Sequence, residues 1–335
     1  MILDAKSRVL VTGGAGFIGS NLVSELNNRG VDNIVIADFL GTDEKWRNLV
    51  PLRFADYVEA DDLLRRVESG PLEKFDLVLH MGACSSTTER NARYLVQNNY
   101  EYTRQLAEWT LNTGGRFVYA SSAATYGDGS AGMSDSDDAE NLNLLRPLNM
   151  YGYSKHLFDL YAARNGLLAR CAGLKFFNVF GPGEQHKAEM RSIVNKAYAQ
   201  VCDTGVIRLF RSYRDDYRDG EQQRDFIYVR DAVAMTLHAA ENDDANGLFN
   251  IGAGRAETWV DVARAVFAAM GREPDVEFID MPVEMRSKYQ YMTLADISKL
   301  RASGYDSPVT SLGDAVSDYI RGYLVNDETP LSPST

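Results

Sequence analysis

Tyr151 and Lys155 are the most suggestive chemical pair in the chain, because they stand four residues apart in the segment YGYSK. On a helix this spacing places both side chains on one face. A tyrosine hydroxyl titrates near pH ~10, and an adjacent ammonium group lowers its pKa by stabilising the phenolate. We therefore predict that Tyr151 is a general base and that Lys155 tunes it. Taken alone, the pattern also fits an exposed helical pair.

Hydroxyl side chains follow a predicted strand in the segment RFVYASSAATYG. Ser121, Ser122 and Thr125 come just beyond the carboxyl end of that strand, the side on which open α/β sheets bind ligands. We predict that Ser122 donates a hydrogen bond to a substrate oxygen. Ser122, Tyr151 and Lys155 together form the predicted catalytic group.

A glycine triplet, Gly13, Gly16 and Gly19, occupies the predicted turn between a strand and a helix in VLVTGGAGFIGS. Glycine lets a backbone approach a pyrophosphate closely, and a helix N-terminus offers N–H groups to it. A tight turn alone could also require glycines, but here a second strand follows in the expected order. We predict dinucleotide contacts at Gly13, Gly16, Phe17, Ile18 and Gly19, and also at Tyr151 and Lys155, since a nicotinamide cation would further stabilise the Tyr151 phenolate.

The second strand, NIVIADF, ends in Asp38, where an acidic residue contacts the adenosine ribose. A carboxylate there favours NAD by repelling the 2′-phosphate of NADP, whereas Lys45 could hold that phosphate. The two residues point to different cofactors. We predict contacts at Asp38, Phe39 and Lys45 and a tightly bound NADP, with NAD as the alternative.

Small residues follow the next predicted strand, in the segment His80-Met81-Gly82-Ala83-Cys84-Ser85. Their position in the fold predicts cofactor contacts, although small residues also suit plain turn packing. Asn98, in the following predicted helix, is a further candidate; a helix-internal hydrogen bond that braces the sheet is its alternative role. The predicted contacts of this region are Met81, Gly82, Ala83, Cys84, Ser85 and Asn98.

Strands and helices alternate through the first half of the chain, which predicts an α/β fold with a doubly wound parallel sheet and a smaller α/β substrate domain. We expect the dinucleotide-binding domain at 1–177, about 225–254 and 292–306. The substrate domain is expected at 178–224, about 255–291 and 307–325, with a flexible tail at 326–335. The segment 211–223 is charged and lacks apolar periodicity, which is typical of a solvated loop or lid.

Composition excludes several classes of protein. A net charge of −12 and a pI near 4.9 argue against a nucleic-acid or anionic-membrane surface. The three cysteines show neither disulfide nor zinc spacing, so we predict no metal. No apolar run is long enough to span a membrane, and the first six residues are too short and polar for a signal peptide. We expect a cytoplasmic enzyme without a membrane partner.

The order of these motifs is that of the short-chain dehydrogenase/reductase superfamily. Within it, the chain resembles the ADP-L-glycero-D-manno-heptose 6-epimerase family from Val9 to about Tyr323. The segments that carry the resemblance are TGGAGFIGSN, GACSSTTE, NNYEYT, YASSAATYG, PLNMYGYSKHLFD, FNVFGPGEQHK, RDFIYVRD and FNIGAGRAETW.

That resemblance implies an epimerase that inverts C6 of the heptose in an ADP-linked sugar, a lipopolysaccharide precursor. In the family, bound nicotinamide removes a hydride from the sugar, the ketone shifts, and the hydride returns to its other face. Two acid/base groups are needed, and by motif these are Tyr151 and Lys187. The resemblance also implies a homo-oligomer and a cofactor contact at Val179. Implied substrate contacts are Ser122, Asn178, Glu189, Lys196, Phe210, Arg224 and Tyr289.

The sequence departs from the family pattern at a few positions. Ala188 and Glu189 replace a Gly-Ser pair, Lys196 replaces a histidine, and 211–223 is longer than in the family. The alternative function is a related nucleotide-sugar 4-epimerase or 4,6-dehydratase, but Ala123-Ala124 stand where a dehydratase carries an Asp-Glu pair. A binding protein without catalysis is disfavoured, because Ser122, Tyr151 and Lys155 are all present.

Overall fold

A seven-stranded parallel sheet forms the centre of the computed structural model, which describes residues 2–70, 72–286 and 289–326. Its strand order is β11-β6-β5-β4-β1-β2-β3. The strands of the protein are β1 (Val9–Thr12), β2 (Ile34–Asp38), β3 (Asp56–Glu59), β4 (Leu77–His80), β5 (Arg116–Ser122), β6 (Cys171–Phe176), β7 (Asn178–Phe180), β8 (Ile207–Phe210), β9 (Gln223–Arg224), β10 (Phe226–Tyr228), β11 (Gly247–Ile251), β12 (Glu257–Thr258) and β13 (Val276–Ile279). The predicted fold class is confirmed.

Helices cover both faces of this sheet. They are α1 (Phe17–Asn28), α2 (Ala60–Ser69), α3 (Ala92–Leu95), α4 (Tyr102–Asn112), α5 (Ala139–Asn143), α6 (Met150–Arg164), α7 (Ile193–Asp203), α8 (Val229–Glu241), α9 (Trp259–Ala269), α10 (Val283–Arg286), α11 (Ser298–Ala302) and α12 (Leu312–Tyr319). The predicted helix that contains Asn98 includes a π-helical segment, Val96–Glu101, which α4 then continues. No helix within the described residues is long and apolar enough to cross a membrane.

Alternation along the central strands divides the core between the two faces. Val9 and Val11 of β1 face one apolar cluster, which also receives side chains from α1, α7, α8, α9 and α12. Leu10 faces the other cluster, which is completed by α2, α4 and α6. Because both faces are covered, the central strands are continuous apolar runs.

Side-chain caps set where several helices begin. Asn149 accepts a hydrogen bond from the backbone N–H of Gly152 at the start of α6, and Thr258 forms a capping box with Asp261 at the start of α9. The α6 cap is important for the site, because it fixes the first turn of the helix that carries Tyr151 and Lys155.

Three two-stranded sheets lie outside the central sheet. β7 pairs with β10 and β8 with β13, both in parallel, and β9 pairs antiparallel with β12. The predicted division into two domains stays a prediction. The part of the predicted tail beyond Asn326 lies outside the described residues.

Candidate functional site

A cleft of about 770 Å³ opens at the carboxyl ends of the central strands, where doubly wound sheets bind ligands. It brings together most of the residues predicted from the sequence. The predicted residues that line it are Gly13, Gly16, Phe17, Ile18, Gly19, Asp38, Lys45, Met81, Gly82, Ala83, Cys84, Ser85, Ser122, Tyr151, Lys155, Asn178, Val179, Lys187 and Lys196. The predicted residues outside this lining are Phe39, Asn98, Glu189, Phe210, Arg224 and Tyr289.

The glycine-rich turn makes a close backbone cradle at one end of the cleft. Gly13 has φ +67°, and a Cβ there would lie 2.6 Å from the backbone N of Gly82. A Cβ on Gly19 would collide with the Gly13 carbonyl. No side chain caps the N-terminus of α1 at Gly16, so its N–H groups face the cleft without a competing cap. This arrangement fits the pyrophosphate of a dinucleotide.

Asp38 and Lys45 meet at the predicted ribose end. Asp38 Oδ1 accepts hydrogen bonds from Lys45 Nζ at 2.9 Å and from the backbone N–H of Phe39 at 2.7 Å. Its Oδ2 atom accepts one from the backbone N–H of Ala15 at 2.9 Å. Phe39 itself is 42% exposed. The carboxylate is therefore neutralised by Lys45 and anchors the glycine-rich turn.

Asn99, which the sequence analysis did not single out, braces the loop after β4. Its side chain accepts from the backbone N–H of Cys84 and donates to the carbonyl of Cys84 and to Ser154 Oγ, each at 2.9 Å. Asn98 instead donates within its own helix to the carbonyl of Tyr94. The local π-helical winding places the second asparagine of the pair, rather than the first, against the loop.

The predicted catalytic group comes together at the ends of β5 and α6. Lys155 Nζ donates to the carbonyl of Ala120 at 2.7 Å, and Ser122 Oγ accepts from the backbone N–H of Ala124. Gly152 allows this approach, because a Cβ there would lie 2.6 Å from the carbonyl oxygen of Ala124. The three side chains of the group therefore face one part of the cleft.

Burial dominates the ionisation of this group. It lowers the pKa of Lys155 to about 8, against the opposing effects of Asp159 and Cys84. Burial raises the pKa of the Tyr151 hydroxyl, although a hydrogen bond with Ser122 acts in the opposite direction. The pairing of Tyr151 with Lys155 in the sequence predicts a lowered Tyr151 pKa instead. The difference arises because desolvation outweighs the hydrogen bond, and a nicotinamide cation bound in the cleft would act to lower the pKa.

Lys187 reaches the cleft from the 3-10 turn Gln185–Met190. Its Nζ atom lies 5.3 Å from the centre of the Phe17 ring, at the start of α1. Burial lowers the pKa of Lys187, and the carboxylate of Glu184 acts against that shift. Glu184 is itself fully buried and accepts from Ser192 Oγ at 2.6 Å. Lys187 is therefore a half-buried amine that lines the cleft rather than a fully solvated loop lysine.

The residue after Lys187 has an unusual backbone. Ala188 has φ 45° and ψ −118°, and it is the only described non-glycine residue with positive φ. It occupies the position at which the resemblance in the sequence expects glycine. The turn that carries Lys187 therefore keeps a glycine conformation with an alanine in it, at a cost in backbone strain.

Asn48 links the glycine-rich turn to the backbone that precedes Lys187. Its Nδ2 atom donates to the carbonyl of Ala15 and to the carbonyl of Gly183, both at 3.0 Å. Ala15 belongs to the glycine-rich turn, and Gly183 precedes the turn that carries Lys187. One amide thus joins the predicted cofactor cradle to the second candidate base.

The remaining predicted substrate residues lie at the other side of the cleft or beyond it. Asn178 begins β7 and is exposed to the cleft. The side chain of Glu189 is 95% exposed and lies 3.9 Å from Lys196. Arg224 is buried, donates to the carbonyls of Gln223 and Gln290 and stacks between two rings, those of Trp259 and Tyr289. The Tyr289 ring in turn contacts that of Phe210.

The segment 211–223 contacts its surroundings more than a solvated loop would. The Arg286 guanidinium lies 3.6 Å from the centre of the Tyr213 ring, and Arg214 stacks over Tyr217 and Tyr291. Arg211 pairs with Asp219 within the segment. Cation–π contacts therefore hold this irregular segment against the region around Tyr289.

Comparison with known proteins agrees with this geometry. Residues 9–252 match the NAD dependent epimerase/dehydratase family. An ADP-L-glycero-D-manno-heptose-6-epimerase of Nitratidesulfovibrio vulgaris (strain DP4) is 55% identical over 316 residues, which cover 94% of this chain and 97% of the relative. One from Fusobacterium nucleatum is 40% identical over 331 residues, covering 96% of this chain and 100% of the relative.

Solved structures show the same similarity. The crystal structure of the Helicobacter pylori ADP-L-glycero-D-manno-heptose-6-epimerase superposes with a TM-score of 0.78 at 26% identity, covering 94% of this chain and 96% of that chain. The Thermus thermophilus UDP-glucose 4-epimerase, in complex with NAD, superposes with a TM-score of 0.72 at 26% identity, covering 94% and 99%.

Proposed function

We propose that the chain inverts C6 of the heptose in ADP-D-glycero-D-manno-heptose. The premise is that it belongs to the NAD dependent epimerase/dehydratase family and, within it, to the ADP-L-glycero-D-manno-heptose-6-epimerases. The product is a precursor of lipopolysaccharide. The observation that carries the proposal is the presence of two half-buried candidate bases in one cleft, Tyr151 on α6 and Lys187 on a separate turn.

The chemistry divides between the cofactor and the two bases. A nicotinamide bound in the cleft would supply the reversible hydride acceptor that oxidation and re-reduction at C6 require. One of the two bases, Tyr151 or Lys187, accepts the proton of the C6 hydroxyl group during oxidation, and the other donates a proton to that oxygen during re-reduction on the opposite face. Ser122 orients the oxygen. Lys155 carries a positive charge beside the Tyr151 phenolate. Its position also allows it to bind the ribose of the cofactor. The glycine cradle and the loop at Met81 to Ser85 hold the dinucleotide.

We propose NADP as the cofactor, and the ion pair at the ribose end supports this choice. An isolated carboxylate at Asp38 would repel a 2′-phosphate, but Lys45 neutralises it and places an ammonium group there. A nicotinamide cofactor follows from the family itself. Because the hydride returns to the same sugar, the cofactor stays bound between turnovers.

The resemblance to the family also supports a homo-oligomer, which we include in the proposal. Light scattering of the purified protein measures its mass in solution. A mass equal to that of one 37.3 kDa chain would remove this part of the proposal and leave the rest intact.

The deciding experiment is NMR of ADP-D-glycero-D-manno-heptose incubated with the protein and no added cofactor. We expect the L-glycero epimer to form, which would demonstrate both the reaction and the retained cofactor. Turnover of another nucleotide-sugar, with no exchange between C6 epimers, would assign the protein to the 4-epimerase or dehydratase alternative.

Matched variants test the two bases. We expect Tyr151→Phe and Lys187→Met each to lower kcat by roughly 10²- to 10⁴-fold, as the loss of a general acid–base does. The controls are Tyr153→Phe, at an exposed position of the same helix, and Lys74→Met, at an exposed lysine. Activity retained in Tyr151→Phe would show that the reaction uses a different base.

A further inference from the structure

A fully buried ion pair lies behind the predicted catalytic group. Lys175 Nζ, in β6, is 2.9 Å from Asp159 Oδ2, in α6, and neither side chain has any solvent exposure. Removing two charges from water is expensive, and such a pair is weak evidence for a stabilising role. The pair therefore needs an explanation other than stability, and its further hydrogen bonds supply one.

Those hydrogen bonds lead to the end of β5. Asp159 Oδ2 accepts from Ser121 Oγ at 2.7 Å. Lys175 Nζ donates to Thr125 Oγ1 at 2.7 Å, and Thr125 Oγ1 donates to the carbonyl of Ser122 at 2.8 Å. The pair thus holds Ser121 from one side and the backbone of Ser122 from the other.

Lys155 interacts with the same end of β5 and with the same Asp159 carboxylate. Its Nζ atom donates to the carbonyl of Ala120, the residue before Ser121. Asp159 follows Lys155 by one helical turn and is the carboxylate that opposes the effect of burial on the Lys155 pKa. The other titratable groups that interact with Lys155 are Cys84 and His80, from β4 and the loop after it.

We propose that Asp159 and Lys175 are positioning residues for the reaction: together they fix Ser121 and Ser122 at the end of β5, and Asp159 sets a carboxylate one helical turn from Lys155. This inference rests on the roles proposed above for Ser122, Tyr151 and Lys155. Neither Asp159 nor Lys175 lines the cleft, so both act through other residues.

The principal variant is the double substitution Asp159→Asn with Lys175→Met. It removes both charges, so that neither is left buried alone, and the asparagine can still accept a hydrogen bond from Ser121. The matched control is Asp231→Asn, which neutralises a buried carboxylate that accepts from Thr310 and does not line the cleft. Thermal unfolding reports the stability of each variant.

The first readout requires no sugar. In protein labelled with ¹³C at the lysine ε carbons, the Lys155 signal is assigned by its loss in Lys155→Arg and then titrated. We expect the Lys155 pKa to fall in the double variant and to stay in place in Asp231→Asn. The basic limb of the profile of kcat against pH should move in the same direction, with a smaller change in KM.

Thr125→Val separates the positioning of Ser122 from the charge on Lys155. The substitution is conservative enough to preserve folding. It keeps the ion pair and removes only the relay from Lys175 to the Ser122 carbonyl. We expect a several-fold lower kcat with an unmoved Lys155 titration. Wild-type kcat in Thr125→Val, or an unmoved Lys155 titration in a folded double variant, would overturn the proposal and leave the pair with a structural role.

Failure of this inference is distinguishable from failure of the proposed function. If wild-type protein does not epimerise ADP-heptose but the Lys155 titration shifts in the double variant, the substrate assignment fails and the electrostatic coupling stands. If wild-type protein epimerises ADP-heptose and the Lys155 titration does not shift in the double variant, the substrate assignment stands and the electrostatic coupling fails.

Discussion

Lys45 and Asp38 form one ion pair at the ribose end of the cleft, with Lys45 Nζ 2.9 Å from Asp38 Oδ1. The carboxylate also holds the backbone of Ala15 and Phe39, so it is anchored independently of Lys45. Lys45 has no other recorded side-chain partner among the described residues and is the member of the pair that can turn toward a ligand.

Replacing Lys45 with methionine should change the choice of cofactor. We expect Lys45→Met to weaken NADP binding by about tenfold or more, because a charged hydrogen bond is lost and Asp38 becomes an unpaired carboxylate. NAD binding should change little. Titration of the cofactor-free protein with each reduced cofactor, followed by fluorescence, measures both affinities. Equal weakening for NAD and NADP would contradict the assignment, and Lys74→Met is the control for loss of a lysine.

The neighbouring asparagines Asn98 and Asn99 allow a matched comparison. Asn99→Ala leaves the part-buried backbone groups of Cys84 and the buried Ser154 hydroxyl without this partner, so we expect a loss of roughly 2 to 4 kcal/mol in the free energy of unfolding. Asn98→Ala removes one local bond and should cost about 0.5 kcal/mol or less. Urea unfolding measures both values.

The same two variants test the predicted cofactor contact at Asn98. If Asn98→Ala weakens cofactor binding while stability is unchanged, the contact stands. If only Asn99→Ala weakens it, the loop at Cys84 is the route by which this helix affects the cofactor.

The outcome at these residues shows what sequence patterns can and cannot predict. The glycine triplet and the Tyr151–Lys155 spacing were predictable because each depends on a local turn or on one helical face. Asn99 was missed because the π-helical segment changes the phase of the helix, which a regular period does not anticipate. The Asp159–Lys175 pair joins a helix to a strand, and no spacing within either element indicates it. Asp38 and Lys45 were recognised individually, but only the folded chain shows that they pair.

Ala188→Gly should stabilise the protein. The native φ of 45° strains an alanine, and relief of that strain should exceed the extra chain entropy of glycine in the unfolded state, for a net gain of about 1 kcal/mol. Thermal unfolding should show a midpoint about 2 °C higher. The control is Ala268→Gly, at an exposed position within α9, where we expect a loss of about 1 kcal/mol. An equal loss at both positions would show that Ala188 is not strained.

His80 should make the fold sensitive to acid. Its ring is fully buried between Thr12 Oγ1 and Thr103 Oγ1, and burial lowers its pKa to about 3 from the ordinary 6.5. Between these values the unfolded chain binds a proton that the native chain does not, so stability falls as pH decreases from about 6.5 towards 3. The slope contributed by this one residue approaches about 1.4 kcal/mol per pH unit.

Urea unfolding at pH 7 and pH 5 tests this effect. His80→Gln should reduce the difference in unfolding free energy between the two pH values by about 2 kcal/mol, the amount that the single histidine accounts for over this interval. A His80→Gln protein with the full wild-type difference would assign the acid sensitivity to other groups.

Asn48 gives the site a mechanical property, because its one amide bonds both the cofactor turn at Ala15 and the backbone at Gly183, ahead of Lys187. The turn that carries Lys187 cannot swing outward without also breaking or dragging a contact at the cofactor turn. Any movement of that turn is thereby coupled to the backbone of the glycine-rich turn. An enzyme that uses the same bound cofactor in successive turnovers benefits from such a linkage, since the turn beside the departing product is hydrogen-bonded, through one side chain, to the turn that holds the cofactor.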